Sequence, residues 1–597
     1  MVERLLITTA IEDTWSEDYD MPVLFLGEWC RLYSRRAHWI KMNAEVLPYH
    51  WDNRDKLYND YQYLNNIYEH KLTIIKNQLN TIHGVNYSSR YWRILIGPWL
   101  SRFIQIVFDR WSVLKSAFEN YEISGCRVLL NNEIDYIPKD FKQSDKLWID
   151  DNWNEMIYGQ LLHRCWDDQI DFEYIIKKNG VKKNNNNQDK SLIRTSLSRL
   201  KQIILKSVNK YKCWVNSSDD YFFFKTYLPY VLEDELLQRL GQKQKQWETL
   251  QLEYFKVNMG MRKWNLKDSE KYDDFTNIIN NLIPLHIPIA YLEGYNSLVN
   301  LTKNLTWPKI PKCIFTSNDI QGLDLFKAWV AQKVENGTSL IIGQHGGHYG
   351  IGKWNWLEEH EISISDRYLS WGWSNSDQPK IHPVGQIKNI MPLGINHAEQ
   401  SGLLLVTGAL PRYSYLMYSV LVSSQWLDYL EDQFTFVEKL HPEGHTNLTV
   451  RLYQHDYGWE QQERWRERFP NIVLDTGEKT MRNLIARTRL YVSTYNAATY
   501  LEAFTMDIPT VIFWNCNHWE IRDSSKPYFE ALKKVGIFHE TPESAAFHVS
   551  QVWDDIDIWW KSKPVRQALE KFKSQYSNID CDLTGNIENE LREAIIN

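Results

Sequence analysis

One rhythm constrains this chain more than any other feature. In its C-terminal third, short apolar runs recur between stretches of helical character. The runs are Gly402-Leu403-Leu404-Leu405-Val406, Leu448–Tyr453, Asn471–Asp475, Leu490–Thr494 and Thr510–Trp514; the clearest helical stretch is Tyr415–Leu440. Short apolar runs bounded by turn residues suit strands buried on both faces. Strands alternating with helices predict a doubly wound parallel sheet.

The same rhythm opens the chain, with Leu5–Ala10 and Val23–Gly27, and returns at Ile287–Leu292, Lys312–Ser317, Ser339–Gly343 and Tyr368–Trp373. Between about 55 and 275 the sequence is aromatic-rich and poor in Gly and Pro, and Arg90–Phe118 has apolar residues at helical spacing. A concentration of Asn, Pro and Gly at 375–400 reads as a linker. The expected organisation is therefore an α/β fold with two Rossmann-like domains facing a cleft. Residues 1–390 form the first, with a helical elaboration at about 55–275. Residues 391–597 form the second, with terminal helices. The Asn-rich stretch Lys177–Lys190 reads as an exposed loop.

Composition narrows the function. A net charge of −7 argues against coating nucleic acid, which needs a basic surface. No apolar run is long enough to cross a bilayer, and the N-terminus reads as a first strand rather than a signal peptide. The seven scattered cysteines form no CxxC pair and fit reduced cytosolic thiols. The 27 Trp and 34 Tyr either fill large helical interfaces or stack on sugars.

In open α/β sheets ligands bind beyond the carboxyl ends of the strands, so the chemistry is sought there. Leu490–Ala503 runs from a strand through Ser493, Thr494, Tyr495, Asn496 and Thr499 into a helix. A helix N-terminus binds phosphate through its free N–H groups, Ser493, Thr494 and Thr499 add hydroxyls, and Glu502 is placed to accept from a ribose. An ordinary N-cap at Ser493 or Thr494 is the alternative. Thr407-Gly408 ends the first strand of the second domain, where a turn would lie beside donor phosphates. Gln344-His345-Gly346-Gly347-His348-Tyr349-Gly350 allows close backbone approach, and His345 suits a general base. A metal bound by His345 and His348 is a weaker reading. Glu12, after the first strand, is an alternative base, or belongs to a solvated loop.

The 490–503 segment with Ile508-Pro509-Thr510-Val511-Ile512 resembles the donor-binding region of GT-B polymer transferases: CDP-glycerol glycerophosphotransferases, capsule Kdo transferases and bacterial sialyltransferases. Gln344-His345-Gly346 is similar to their Gln-(x)-His-Gly element. With Thr8-Thr9-Ala10, Leu26–Cys30, Trp371-Gly372-Trp373 and Arg451–Trp459, the whole chain resembles a family of transferases of similar length from O-antigen and surface-carbohydrate gene clusters. The resemblance implies a metal-independent GT-B glycosyltransferase. It would use a nucleotide-sugar donor, with a cytidine nucleotide favoured, and a saccharide or lipid-linked saccharide acceptor. No cofactor is expected. The location would be cytoplasmic, at the inner face of the membrane if the acceptor is lipid-linked. A polyol-phosphate transferase, a nucleotide-sugar epimerase and a non-catalytic scaffold are the alternatives. The chain departs from the related His-Pro element, since His441-Pro442 precedes its strand. At the expected place stand Arg451 and His455, here assigned to the donor phosphate. A turn histidine paired with Asp456 is the other reading of His455.

Overall fold

The computed structural model describes residues 2–176, 219–388 with short breaks between 244 and 272, 402–441, 447–579 and 582–596. The Asn-rich stretch, most of the expected linker and Pro442 lie outside them. The parallel α/β architecture read from the sequence is present, in three sheets. The first, in the order β3-β2-β1-β4-β5, comprises β1 (Arg4–Ile7), β2 (Val23–Phe25), β3 (Ala44–Val46), β4 (Ile123–Leu129) and β5 (Asp171–Ile175). The second, in the order β10-β9-β8-β7-β6, comprises β6 (Phe222–Phe223), β7 (Cys313–Thr316), β8 (Ser339–Gly343), β9 (Arg367–Ser370) and β10 (Ile381–Pro383). The third, in the order β13-β12-β11-β14-β15-β16, comprises β11 (Gly402–Val406), β12 (Leu448–Arg451), β13 (Val473–Asp475), β14 (Thr488–Ser493), β15 (Thr510–Phe513) and β16 (Phe538–His539). Every strand pair is parallel.

The strands of the first 390 residues thus form two sheets, and the helix Ser89–Asn120 joins them. It packs against Asp151–Cys165, which covers β4, and against Asp324–Glu335 and Trp356–Ile364, which cover β8. Every residue from Ile94 to Arg110 is buried. A helix apolar on all sides must be enclosed, and each buried Ile or Leu contributes about 1.5–3 kcal/mol. The five polar residues in that run all find partners, Ser101 among them as the acceptor from Gln105. Arg102 donates to Asp145 at 2.7 Å, Gln105 donates to Ser101 at 3.0 Å, Asp109 accepts from Tyr49 at 2.6 Å, and Arg110 donates to Asn154 at 2.9 Å. The stretch at about 55–275 is more than a helical elaboration, because it contains β4, β5 and β6. Most of the aromatic residues are interior: Arg110 apart, the largest fully buried side chains are all tryptophans.

Three local expectations change. Residues 287–292 form a short 3-10 turn, Ile289–Tyr291, instead of a strand, because the Ile289 and Ala290 N–H groups go to Pro138 and Lys139 carbonyls. The helix expected from Tyr415 begins only at Gln425. Residues 412–419 form a strap threaded into the N-terminal part. Arg412 donates to the Trp29 carbonyl and to Asp151, the Ser414 carbonyl accepts from Arg110, and the Met417 N–H donates to Gln105. Tyr418 pairs antiparallel with Asn355. These partners replace the i−4 carbonyls that a helix would have used. Finally, the terminal helix Leu583–Ile596 packs on β7, β8 and β9 of the second sheet, with Arg367 paired to Glu590 and Glu593.

Candidate functional site

The third sheet reverses its strand order between β11 and β14, and such a switch point opens a crevice at the carboxyl ends. In register, Val406 pairs with Arg451 on one side and Ser493 on the other. At strand spacing these two residues stand roughly 10 Å apart, flanking Thr407-Gly408. The loops are tied from below by Tyr429 of the helix Gln425–Lys439. Its hydroxyl accepts the Gly408 N–H at 2.7 Å and bonds the Thr494 hydroxyl at 2.5 Å. Thr494 also donates to the Val406 carbonyl at 2.9 Å, Thr407 to the Arg451 carbonyl at 3.2 Å, and Ser493 to the Tyr495 carbonyl at 3.3 Å. These hydroxyls shape the crevice and are already engaged.

The helix Ala498–Thr505 starts at the crevice. Its N-cap is Ala497, and no side chain among the described residues caps it, so its first-turn N–H groups have no intrahelical partner. The capping expected from Ser493 or Thr494 is absent. The loop after β8 meets this helix end: a Cβ on Gly347 would lie 2.6 Å from the Ala497 carbonyl and the Ala498 nitrogen. Two residues before it is His345, beside Tyr349 (3.3 Å) and Glu361 (3.6 Å). Burial pushes the His345 pKa down to about 4, against a smaller upward pull from the Ser317 backbone, so the ring is neutral at pH 7.

The remaining expected residues separate into bracing and surface positions. Gln344 is buried and spends its amide on the loop. It donates to the Gly346 carbonyl at 2.8 Å and accepts from the Trp371 N–H at 3.0 Å and the Trp373 ring at 2.8 Å. The backbone of Gly346 is therefore part of that brace. His348 is also buried, against Ser419 and Asn355, with its pKa pushed down to about 4 by burial. Among the described residues, no three His, Cys, Asp or Glu side chains converge as a metal site. Asn496 accepts from Tyr500 at 3.1 Å, and Glu502 pairs with Lys388 at 2.6 Å, so both stabilise their helix in this state. Thr499 lies in the first turn of that helix.

Arg451 is turned along the sheet to Asp475, at the end of β13, and to the Lys479 carbonyl. His455 is exposed, within 6.3 Å of the Tyr453 ring and 6.0 Å of the Tyr457 ring. Asp456 is engaged elsewhere, since its oxygens accept the Glu460 and Gln461 N–H groups at 2.7 Å. His441 follows the helix Gln425–Lys439, ahead of β12, and its N–H donates to the Ser550 hydroxyl at 3.2 Å. Glu12 opens the 3-10 turn Glu12–Thr14 after β1, its carboxylate held by His38 at 2.8 Å and Arg35 at 3.3 Å. It is not assembled with His345. Sequence reading missed Tyr429, Glu361 and the strap. Tyr429 and Glu361 sit inside helices with no motif around them, and the strap carries an apolar pattern that mimics a helix.

The match to a family model decides the class: the LIC12162 family transferase model matches residues 4–591. The chain belongs to the LIC12162 transferase family. A comparison with curated proteins finds no match. Among solved structures, a variant of the wall teichoic acid polymerase TagF is 11% identical, covers 68% of this chain and 97% of its own, and has a TM-score of 0.32. MurG of Acinetobacter baumannii is 12% identical over 50% of this chain and 78% of its own, with a TM-score of 0.31. A UDP complex of S. aureus MnaA is 9% identical over 50% and 78%, with a TM-score of 0.32. Membership of the LIC12162 transferase family rests on the sequence model alone. Among the described residues of this family member, no helix is long and apolar enough to cross a membrane.

Proposed function

We propose that the chain is a GT-B-type glycosyltransferase. In this reading it moves a sugar from a nucleotide donor on the third sheet to a saccharide hydroxyl held by the second. The observation that carries it is the contact between the His345-Gly346-Gly347 loop and the open first turn of the helix Ala498–Thr505. A neutral base thereby stands beside a preformed anion site, and both lie at strand carboxyl ends.

The step is a displacement at the anomeric carbon. The acceptor oxygen bonds that carbon as its proton passes to His345. The bond to the donor phosphate breaks, and its electron pair leaves on the phosphate oxygen. The Ala498 and Thr499 N–H groups and the Thr499 hydroxyl stabilise that charge, which matters most in the transition state. Arg451 and His455 bound the same crevice from β12. The reaction as proposed uses no metal ion and no cofactor besides the activated donor. By motif resemblance the nucleotide is a cytidine nucleotide. A lipid-linked acceptor would draw the chain to the inner face of the membrane as a peripheral protein, and nucleic acid is not a partner.

A thermal-shift screen of the full chain with CMP, CDP, UDP and GDP tests the reading. Stabilisation by a cytidine nucleotide, lost when Gly347 is replaced, is the expected result. No shift with any of the four would favour a scaffold and remove the proposal. Product analysis with the matching nucleotide sugar then separates sugar transfer from polyol-phosphate transfer and from epimerisation of the free donor.

A further inference from the structure

Behind His345 lies a carboxylate that is only half engaged. Glu361, in the helix Trp356–Ile364, is fully buried, with 0% of its side chain exposed. One oxygen, Oε1, accepts from Gln321 Nε2 at 2.8 Å and stands 3.6 Å from His345 Nδ1. The other, Oε2, has no hydrogen-bond partner among the described residues, and neither does His345 Nδ1. Two orphaned buried polar atoms on facing side chains are costly to keep, unless they pair at some stage of the molecule's working cycle. Catalytic hydrogen bonds in empty sites are often long and tighten only around substrate.

Gln321 is itself fixed: its Oε1 accepts from Arg102 at 3.3 Å, and Arg102 donates to Asp145 at 2.7 Å. Burial, the larger effect, holds the Glu361 pKa well above the usual carboxylate range, against the Gln321 N–H that favours the charged form, so the carboxylate calls for a cation beside it, which a protonated His345 supplies. The other titratable groups about the pair are Tyr349, Tyr227, Glu358 and Tyr368.

We propose that Glu361 is a positioning residue for His345, receiving the Nδ1–H of the imidazole so that Nε2, which meets the Tyr349 hydroxyl at 3.3 Å in this state, is presented to the acceptor when substrate takes the place of that contact, and the imidazolium formed on proton transfer is neutralised in place. This rests on His345 as the base. In the step, the acceptor proton moves to Nε2, Nδ1 keeps its own proton in a hydrogen bond to Glu361, and the pair ends as imidazolium and carboxylate.

The test follows the His345 ring by NMR in the full chain labelled with 13C-histidine, its signal assigned by loss in His345→Gln. In Glu361→Gln, which keeps shape and volume, the His345 titration should move down by about one pH unit or more, as expected on losing an opposite charge within 4–6 Å. Glu361→Asp should recover part of that shift. An unmoved titration in a Glu361→Gln variant that melts like the wild type overturns the inference. If the titration moves but His345→Ala transfers at full rate with the donor found by thermal shift, the pairing stands and the proposed function falls.

Discussion

Gly347 and Ala498 meet backbone to backbone where the second and third sheets face each other. A Cβ at position 347 would come within 2.6 Å of the Ala498 nitrogen, whereas one at Gly346 would meet nothing within 4 Å. The pair supplies an internal control. Gly347→Ala should lower turnover at least about tenfold and cost about 1–3 kcal/mol of stability, as overpacking does. Gly346→Ala should melt like the wild type. Differential scanning calorimetry with transfer assays of both variants checks this, and equal melting of the two would contradict it.

Tyr429→Phe removes the hydroxyl that holds Gly408 and Thr494 together. Thr494 keeps the Val406 carbonyl as a partner, but the Gly408 N–H is left without one. The expected cost is about 1–3 kcal/mol, with weaker nucleotide binding, because the crevice loops lose their common anchor. Urea denaturation and nucleotide titration of the variant measure both.

Asp151→Asn would leave the Arg412 guanidinium buried with its charge unbalanced. Arg412 is 8% exposed and Asp151 25%, so the cost is set below that of a fully buried pair, at about 1–3 kcal/mol. Because this pair holds the strap against the first sheet, the melting transition of the variant should broaden or split. A sharp single transition at the wild-type temperature would refute the role.

Acid should weaken the fold through its buried histidines. Burial, then neighbouring cations, pushes His286 and His360 down to about 3. The unfolded rings take a proton below about pH 6.5. Their contribution is therefore complete above that pH and declines as pH falls toward 3. Glu155 and Glu361, pushed up by burial, oppose the trend. The clean measurement is thus a difference. His360→Phe, which keeps the ring stacked on Trp356, should show a shallower fall in melting temperature between pH 6.5 and 4.5 than the wild type.

Much of this was legible in the sequence where local signals coincide with tertiary ones. Leu403–Val406 and Leu490–Val492 are apolar, β-branched or aromatic, and run into the small polar residues Thr407 and Ser493, so both strands and the crevice followed from pattern alone. The loop after β8 was legible through its glycines, of which Gly347 proves sterically demanding. Illegible features depend on partners far along the chain. Nothing in Ser414–Ser423 signals that its backbone will bond Arg110, Gln105 and Trp354. Arg451 looks like a free cation until Asp475 is brought beside it by the pairing of β12 with β13. The division of the first 390 residues into two sheets is similarly hidden, because it depends on which helix faces the buried span Ile94–Arg110 covers.

The strap bears on how such a protein can be taken apart. Arg412, Ser414 and Met417 belong by connectivity to the lobe of the third sheet, yet their hydrogen bonds end on Trp29, Asp151, Arg110 and Gln105. A chimera that exchanges the lobe between family members, cut at the linker, would carry a foreign strap into an unmatched socket. An exchange of this lobe would instead have to carry the socket residues Trp29, Gln105, Arg110 and Asp151 along with the strap, because β11 cannot be parted from β12 and β14.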